Sequence, residues 1–166
     1  MDASPLLARI AALLEKHGLE SVLIGNAAAA LQGAPVTTVD FDFMFRRTPV
    51  NMRKLKAIAD DLEAVLFKPF YPQSSMVRLA RDRDGLQLDF MSVIDGVHSF
   101  EGLRKRAERI RVGEADLLVA GLSDILKSKK AAGRPQDVAV IPMLEKTLEE
   151  KTRDPQREAG GSEVGE

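Results

Sequence analysis

Val39-Asp40-Phe41-Asp42-Phe43-Met44-Phe45 is the stretch that decides how this chain is read. Apolar and acidic residues alternate in it, which is the period of a strand. On a strand Asp40, Asp42 and Met44 share one face, and Val39, Phe41, Phe43 and Phe45 share the other. The aromatic face belongs to a core. The acidic face needs a cause, because aspartate is depleted in strands. Two carboxylates about 5 Å apart repel by roughly 3 kcal/mol at an effective dielectric of about 20. A divalent ion held by hard oxygen ligands relieves that repulsion, and Mg²⁺ sites that hold nucleotide phosphates are built in this way. The plainer alternative is an Asp-x-Asp pair that merely flanks a strand end.

Downstream, Met76 to Arg81 and Leu86 to Ser92 are two alternating runs joined by the turn residues Asp82-Arg83-Asp84-Gly85, which predicts a hairpin. In its second strand Leu88 and Phe90 point to the core, while Gln87 and Asp89 point the other way. If that strand lies beside the first, Asp89 joins Asp40 and Asp42 in one cleft. Three aspartates then hold two ions, or hold one and leave Asp89 to accept a proton from an attacking hydroxyl.

Upstream, Ser21 to Ile24 reads as a short strand ending at Gly25, with Asn26 as the cap of an alanine-rich helix through Gln32 that Gly33 closes. A strand, a glycine turn and a helix start offer N–H groups to an anion. Leu6, Leu7, Ile10, Leu13 and Leu14 predict an amphipathic first helix stopped by Gly18. Asn51 to Phe67, with Leu55, Ile58, Leu62, Val65 and Leu66 on one face behind Thr48-Pro49, predicts another, ending near Pro69. Ala115 to Ala120 reads as a strand, with Ile110 to Val112 as its hairpin partner. Helices follow over Ser123 to Ala132 and Gln136 to about Glu150, split by Gly133-Arg134-Pro135. The fold class expected is α/β (α+β), a mixed β-sheet with helices mostly on one side. Residues 1–150 form one domain, and 151–166 are expected to be a disordered tail. The expected core gathers Ile24, Phe41, Phe43, Leu62, Leu88, Phe90 and Leu118.

Composition limits the chemistry. The 166 residues carry 24 Lys+Arg against 25 Asp+Glu, so no global field draws the chain onto nucleic acid or an anionic membrane. The absence of cysteine excludes disulfides, thiolate metal sites and a cysteine nucleophile, and two histidines fall short of an ordinary three-ligand zinc centre. Aromatics make up 5%, without tryptophan, which argues against a base-stacking platform. No apolar run nears the roughly 20 residues that span a bilayer, and the start lacks the order of a secretory signal. A cytoplasmic protein with no membrane contact is expected.

Gly25-Asn26, Gly33, then Thr37-Thr38-Val39-Asp40-Phe41-Asp42, then Asp89, taken in order, resemble the DNA polymerase beta-like nucleotidyltransferase superfamily. Its small prokaryotic members, including abortive-infection and toxin-antitoxin types, are the nearest likeness. The resemblance extends to Ser128-Lys129-Lys130-Ala131-Ala132-Gly133-Arg134-Pro135-Gln136-Asp137 and covers about Val22 to Leu144. It implies a nucleotidyltransferase-like sheet in which Asp40, Asp42 and Asp89 bind Mg²⁺ or Mn²⁺. It also implies that Gly25, Asn26, Thr38, Lys129 and Arg134 bind the nucleotide, with Asp89 and Lys129 as catalytic residues. The partners implied are a nucleoside triphosphate (NTP) and an acceptor that is tRNA, protein or a small molecule. Asn26 stands where a second glycine or serine is usual, and Val36 where arginine is frequent. These departures support the alternative of a non-catalytic binding or regulatory member, an antitoxin or toxin partner. A phosphohydrolase using the same carboxylates is a third reading.

Other features read more plainly. Lys129 and Arg134 either meet phosphate or form a charge pair with Asp137. Arg104-Lys105-Arg106, Arg109 and Arg111 are diluted by Glu101, Glu108 and Glu114 and read as a solvated face. Asp82-x-Asp84-Gly85 echoes half a calcium loop but serves a turn. His17 sits at a helix end and His98 in a loop.

Overall fold

The computed structural model describes residues 4–38, 40–68 and 76–153. Expectations for Val39, Pro69 and 154–166 lie outside the described residues. Helix α1 (Ser4–His17) buries Leu7, Ile10, Leu13 and Leu14 and ends at Gly18. Strand β1 (Ser21–Ile24) is followed directly by α2 (Gly25–Leu31). The cap position of α2 is Ile24, with no side-chain cap bond, so Asn26 lies inside the first turn and is not the cap expected of it. Strand β2 (Asp40–Phe45) carries the deciding stretch.

Helix α3 (Pro49–Asp61) starts as its sequence requires: the Thr48 side chain accepts a hydrogen bond from the Asn51 N–H at 3.1 Å, and Pro49 stands where no amide is needed. Its end corrects the sequence reading. Glu63 adopts a left-handed φ of 53°, and Val65–Phe67 become strand β3 instead of a further helical turn. Val65, assigned to the buried helix face, is largely exposed. A short apolar run fits strand and helix alike, and here pairing to the next strand outweighs helix propagation.

Strands β4 (Met76–Arg81) and β5 (Leu86–Met91) form the expected hairpin, followed by α4 (Phe100–Arg106), which was not expected and which Ser99 caps through the Gly102 N–H at 3.0 Å. Strands β6 (Glu108–Val112) and β7 (Ala115–Val119) form the second hairpin. Helices α5 (Leu122–Ala132) and α6 (Pro135–Arg153) close the described chain. Lys151 to Arg153, expected in the tail, continue α6, and Lys151 donates to Glu108 at 2.8 Å.

One sheet orders the strands β3-β4-β5-β2-β1-β7-β6. The pairs β2–β5 and β1–β7 are parallel, and the others are antiparallel. This is the mixed α/β sheet expected. Phe41, Phe43, Phe45, Leu88 and Phe90 are buried on one face, where the Phe43 and Phe90 rings stack at 4.9 Å. Leu118 departs from the expected core. It is half-buried, while its neighbours Leu117 and Val119 are buried, so the phase of β7 is shifted by one residue. All four residues of β1 are buried, so the sheet centre is covered on both faces. The one-sided cover expected from sequence holds toward β4 and β5. There Val77, Leu79, Leu88 and Phe90 are buried, while Met76, Arg78, Gln87 and Met91 keep contact with solvent.

Candidate active site

Register builds the site. Asp42 pairs with Asp89 across the parallel strands β2 and β5, and Asp89 pairs with Arg78 across the β4–β5 hairpin. Partners in register point to the same side of a sheet, so one row runs Arg78, Asp89, Asp42. Asp40 lies two residues along β2, opposite Gln87. Beyond the acidic end of the sheet, α5 and the start of α6 form a second wall. The cleft between them has a volume of about 780 Å³. All eight residues singled out by the sequence line it: Gly25, Asn26, Thr38, Asp40, Asp42, Asp89, Lys129 and Arg134.

The two signs of charge are held differently. Asp89 is nearly buried and takes a forked pair of bonds from Arg78, Nε to Oδ1 at 2.7 Å and Nη2 to Oδ2 at 3.1 Å. Gln87 Nε2 adds a third at 3.2 Å to Oδ2. Asp42 receives no such bond among the described residues. Burial, then the charges of Asp89 and Asp40, push its carboxyl up to about 6, against the opposing pull of Lys129 and Arg134. On the facing wall Asp137 is buried and binds both bases, Arg134 at 2.6 Å and Lys129 at 3.5 Å. Burial works to raise the Asp137 carboxyl. The bonds and charges of Arg134 and Lys129 outweigh it and hold the group below the usual carboxylate range. The charge pair with Asp137 expected of Lys129 and Arg134 is present, and both residues also line the cleft.

Close approaches fix the walls. Gly25 has a left-handed φ of 70°, and a Cβ there would stand 3.3 Å from Asp42 Oδ2. At Gly96 a Cβ would meet the Lys127 carbonyl oxygen at 2.7 Å, which is closer than atoms allow. The loop after β5 thus rests its backbone on α5. A buried Asp124, forked to Arg106 at 2.9 Å, also lines the cleft.

Sequence reasoning missed Arg78, and the hairpin it predicted contains the signal. Once Arg81 pairs with Leu86 across the turn, Arg78 must face Asp89. The basic cluster is a solvated face only in part: Arg109 and Arg111 are exposed within 4 Å of Asp116 and Arg104 pairs with Glu101, whereas Arg106 reaches inward to the buried Asp124. His98 is exposed, and His17 contacts Asp61 at 2.7 Å.

No protein-family model matches the sequence. No curated protein matches it either. Solved structures do. The antibiotic-resistance factor ANT(2'')-Ia superposes with a TM-score of 0.61 at 14% identity, covering 99% of this chain and 98% of its own. The lincosamide antibiotic adenylyltransferase LnuA gives 0.61 at 12% identity, over 87% of this chain and 96% of its own. TM1012 of Thermotoga maritima, assigned as a nucleotidyltransferase, gives 0.56 at 19% identity, over 88% and 92%.

The chain has the nucleotidyltransferase fold. The order of the motif residues along the chain and the path of its backbone agree on that fold. No described helix of this nucleotidyltransferase fold is long and apolar enough to cross a membrane.

Among the described residues no three His, Asp or Glu side chains form a ready metal cage. Asp40 and Asp42 do offer hard oxygens, and the raised Asp42 carboxyl marks a charge without a partner. One or two carboxylates plus substrate phosphates are what Mg²⁺ takes from a protein, so the pair fits.

Proposed function

We propose that this protein is a nucleotidyltransferase that moves a nucleoside monophosphate from an NTP to an acceptor hydroxyl, with Mg²⁺ or Mn²⁺ at Asp40 and Asp42. The observation that carries the reading is the opposition of charge across one cleft. Carboxylates stand on the sheet wall and pinned cations on the helix wall. A metal-bound polyphosphate needs both. When bound, the ion supplies positive charge against the oxygens of the phosphate under attack.

The chain's own residues do the rest. Lys129 and Arg134 face the departing phosphates, and Asp137 keeps them oriented at no cost in mobility during the reaction. Asp89 receives the acceptor hydroxyl. As the acceptor oxygen bonds to the α-phosphorus, the bond from that phosphorus to the bridging oxygen breaks and pyrophosphate leaves. The hydroxyl proton passes to Asp89 Oδ1. A non-catalytic nucleotide-binding partner is the second reading, favoured by Asn26, whose Oδ1 is buried without a hydrogen-bond partner where a smaller residue is usual.

Calorimetry of the protein with an NTP at millimolar Mg²⁺, followed by transfer assays from α-labelled NTP to tRNA, protein and small hydroxyl compounds, tests the proposal. Metal-dependent binding that Asp42→Asn weakens by at least tenfold is expected, together with label transfer. Binding without transfer to any acceptor class moves the conclusion to the second reading. No binding at all removes both.

A further inference from the structure

The grip on Asp89 bears on how many cations the cleft can take. An ionised carboxylate has about four acceptor positions on its two oxygens. Arg78 uses one on each oxygen, and Gln87 uses the second on Oδ2. A single position on Oδ1 remains. It can meet an acceptor hydroxyl or a metal ion, but not both.

Charge leads to the same point. Asp40, Asp42 and Asp89 bring three negative charges to the sheet wall, and the Arg78 guanidinium cancels one in a bidentate pair, the strongest geometry open to a side chain. The remaining two match one divalent ion. A second would have to approach Asp89 against a fixed, part-buried guanidinium, where like charges are screened less than in bulk water. Arg78 cannot shed its proton to make room.

We propose that Arg78 takes the place of a second cation at Asp89, so that the cleft binds one divalent ion at Asp40 and Asp42 and keeps the last lone pair of Asp89 for the acceptor. Arg78 is then a positioning residue, acting through Asp89. The inference rests on the nucleotidyltransferase reading.

The test is electron paramagnetic resonance of Mn²⁺ titrated into the full chain saturated with an NTP analogue whose α–β bridge is a methylene, so that no transfer occurs. The parent protein should bind one Mn²⁺ per chain with the six-line signal of an isolated ion. Arg78→Gln should bind a second and show the exchange-coupled signal of a close pair. Arg78→Lys, which restores a positive charge, should return to one. Arg78→Gln combined with Asp89→Asn removes the ion pair as a unit and leaves the net charge unchanged, so it should still bind one ion with affinity changed less than threefold if Asp89 is not a ligand of it, and this double variant decides the matter if Arg78→Gln alone fails to fold. Two coupled ions in the parent, a single ion in folded Arg78→Gln, or a loss of Mn²⁺ in the double variant would overturn the role given to Arg78. Failure of the parent to bind the Mn²⁺ analogue complex at all would overturn the nucleotidyltransferase reading itself.

Discussion

The two walls of the cleft use the same device with opposite results. On the sheet wall an arginine fork holds an acid, Arg78 on Asp89, and a second acid, Asp42, is left over. On the helix wall an acid holds a base, Asp137 on Arg134, and a second base, Lys129, sits more loosely at 3.5 Å. Each wall therefore carries a pinned pair plus a surplus, negative on one side and positive on the other. An isolated buried ion pair is weak support for stability. Two pairs with opposite surpluses across one opening give a gradient of charge that a phosphate chain with a metal ion can bridge.

The largest effect on this comparison should come from behind the sheet wall. Phe43 is fully buried and stacked on Phe90, and it backs the strand that carries Asp42. Phe43→Ala should cost about 3–5 kcal/mol by cavity formation, read from urea unfolding. A loss under about 1 kcal/mol, the scale of a surface change, would mean that the strand faces are reversed.

Single-charge changes on the two walls should act with opposite signs. The Asp42 carboxyl is raised in the folded protein, so the native state binds more protons than the unfolded chain between about pH 4 and 6. The contribution of Asp42 to the stability of the metal-free protein should fall as pH rises through that window, by up to about 3 kcal/mol, and then level off. Asp42→Asn should flatten the fall and leave the apo protein more stable at pH 7.5, by about 1–3 kcal/mol. Asp137→Asn should instead destabilise by roughly 2 kcal/mol, because Lys129 and Arg134 lose their anchor. Thermal melts across pH check both, and equal signs for the two variants would end the contrast.

These sites were not equally readable. The alternation in Asp40–Phe45 set the acid face, because a period of two leaves no freedom once one side is aromatic. Asp82 to Gly85 set the hairpin, and with it the place of Asp89. Val65 to Phe67 misled, since three apolar residues continue a helical stripe as well as they start a strand, and only Glu63 and the pairing to β4 decide. Asn26 reads as a cap on residue type alone, whereas the helix begins at Gly25 with Ile24 in the cap position, two residues earlier. Arg78 was overlooked because an arginine on a strand has no signature of its own. Its meaning comes from the residue opposite.

The smallest test concerns the far side of the sheet. Leu117 is buried and Leu118 half-buried, so Leu117→Ala should cost about 3 kcal/mol and Leu118→Ala about 1 kcal/mol. Reversal of that order in denaturant melts would restore the strand phase first read from the sequence. It would leave the walls of the cleft untouched.

Gly96 has a consequence for how such a cleft can diversify. Its backbone lies against the Lys127 carbonyl so closely that even a methyl group has no room, whereas Gly33 and Gly85 have nothing within 4 Å of a would-be Cβ. The seat of the loop after β5 on α5 therefore depends on an absent side chain. Any substitution at position 96 has to lift that loop off α5, and with it Asp95 and Val97, which line the cleft.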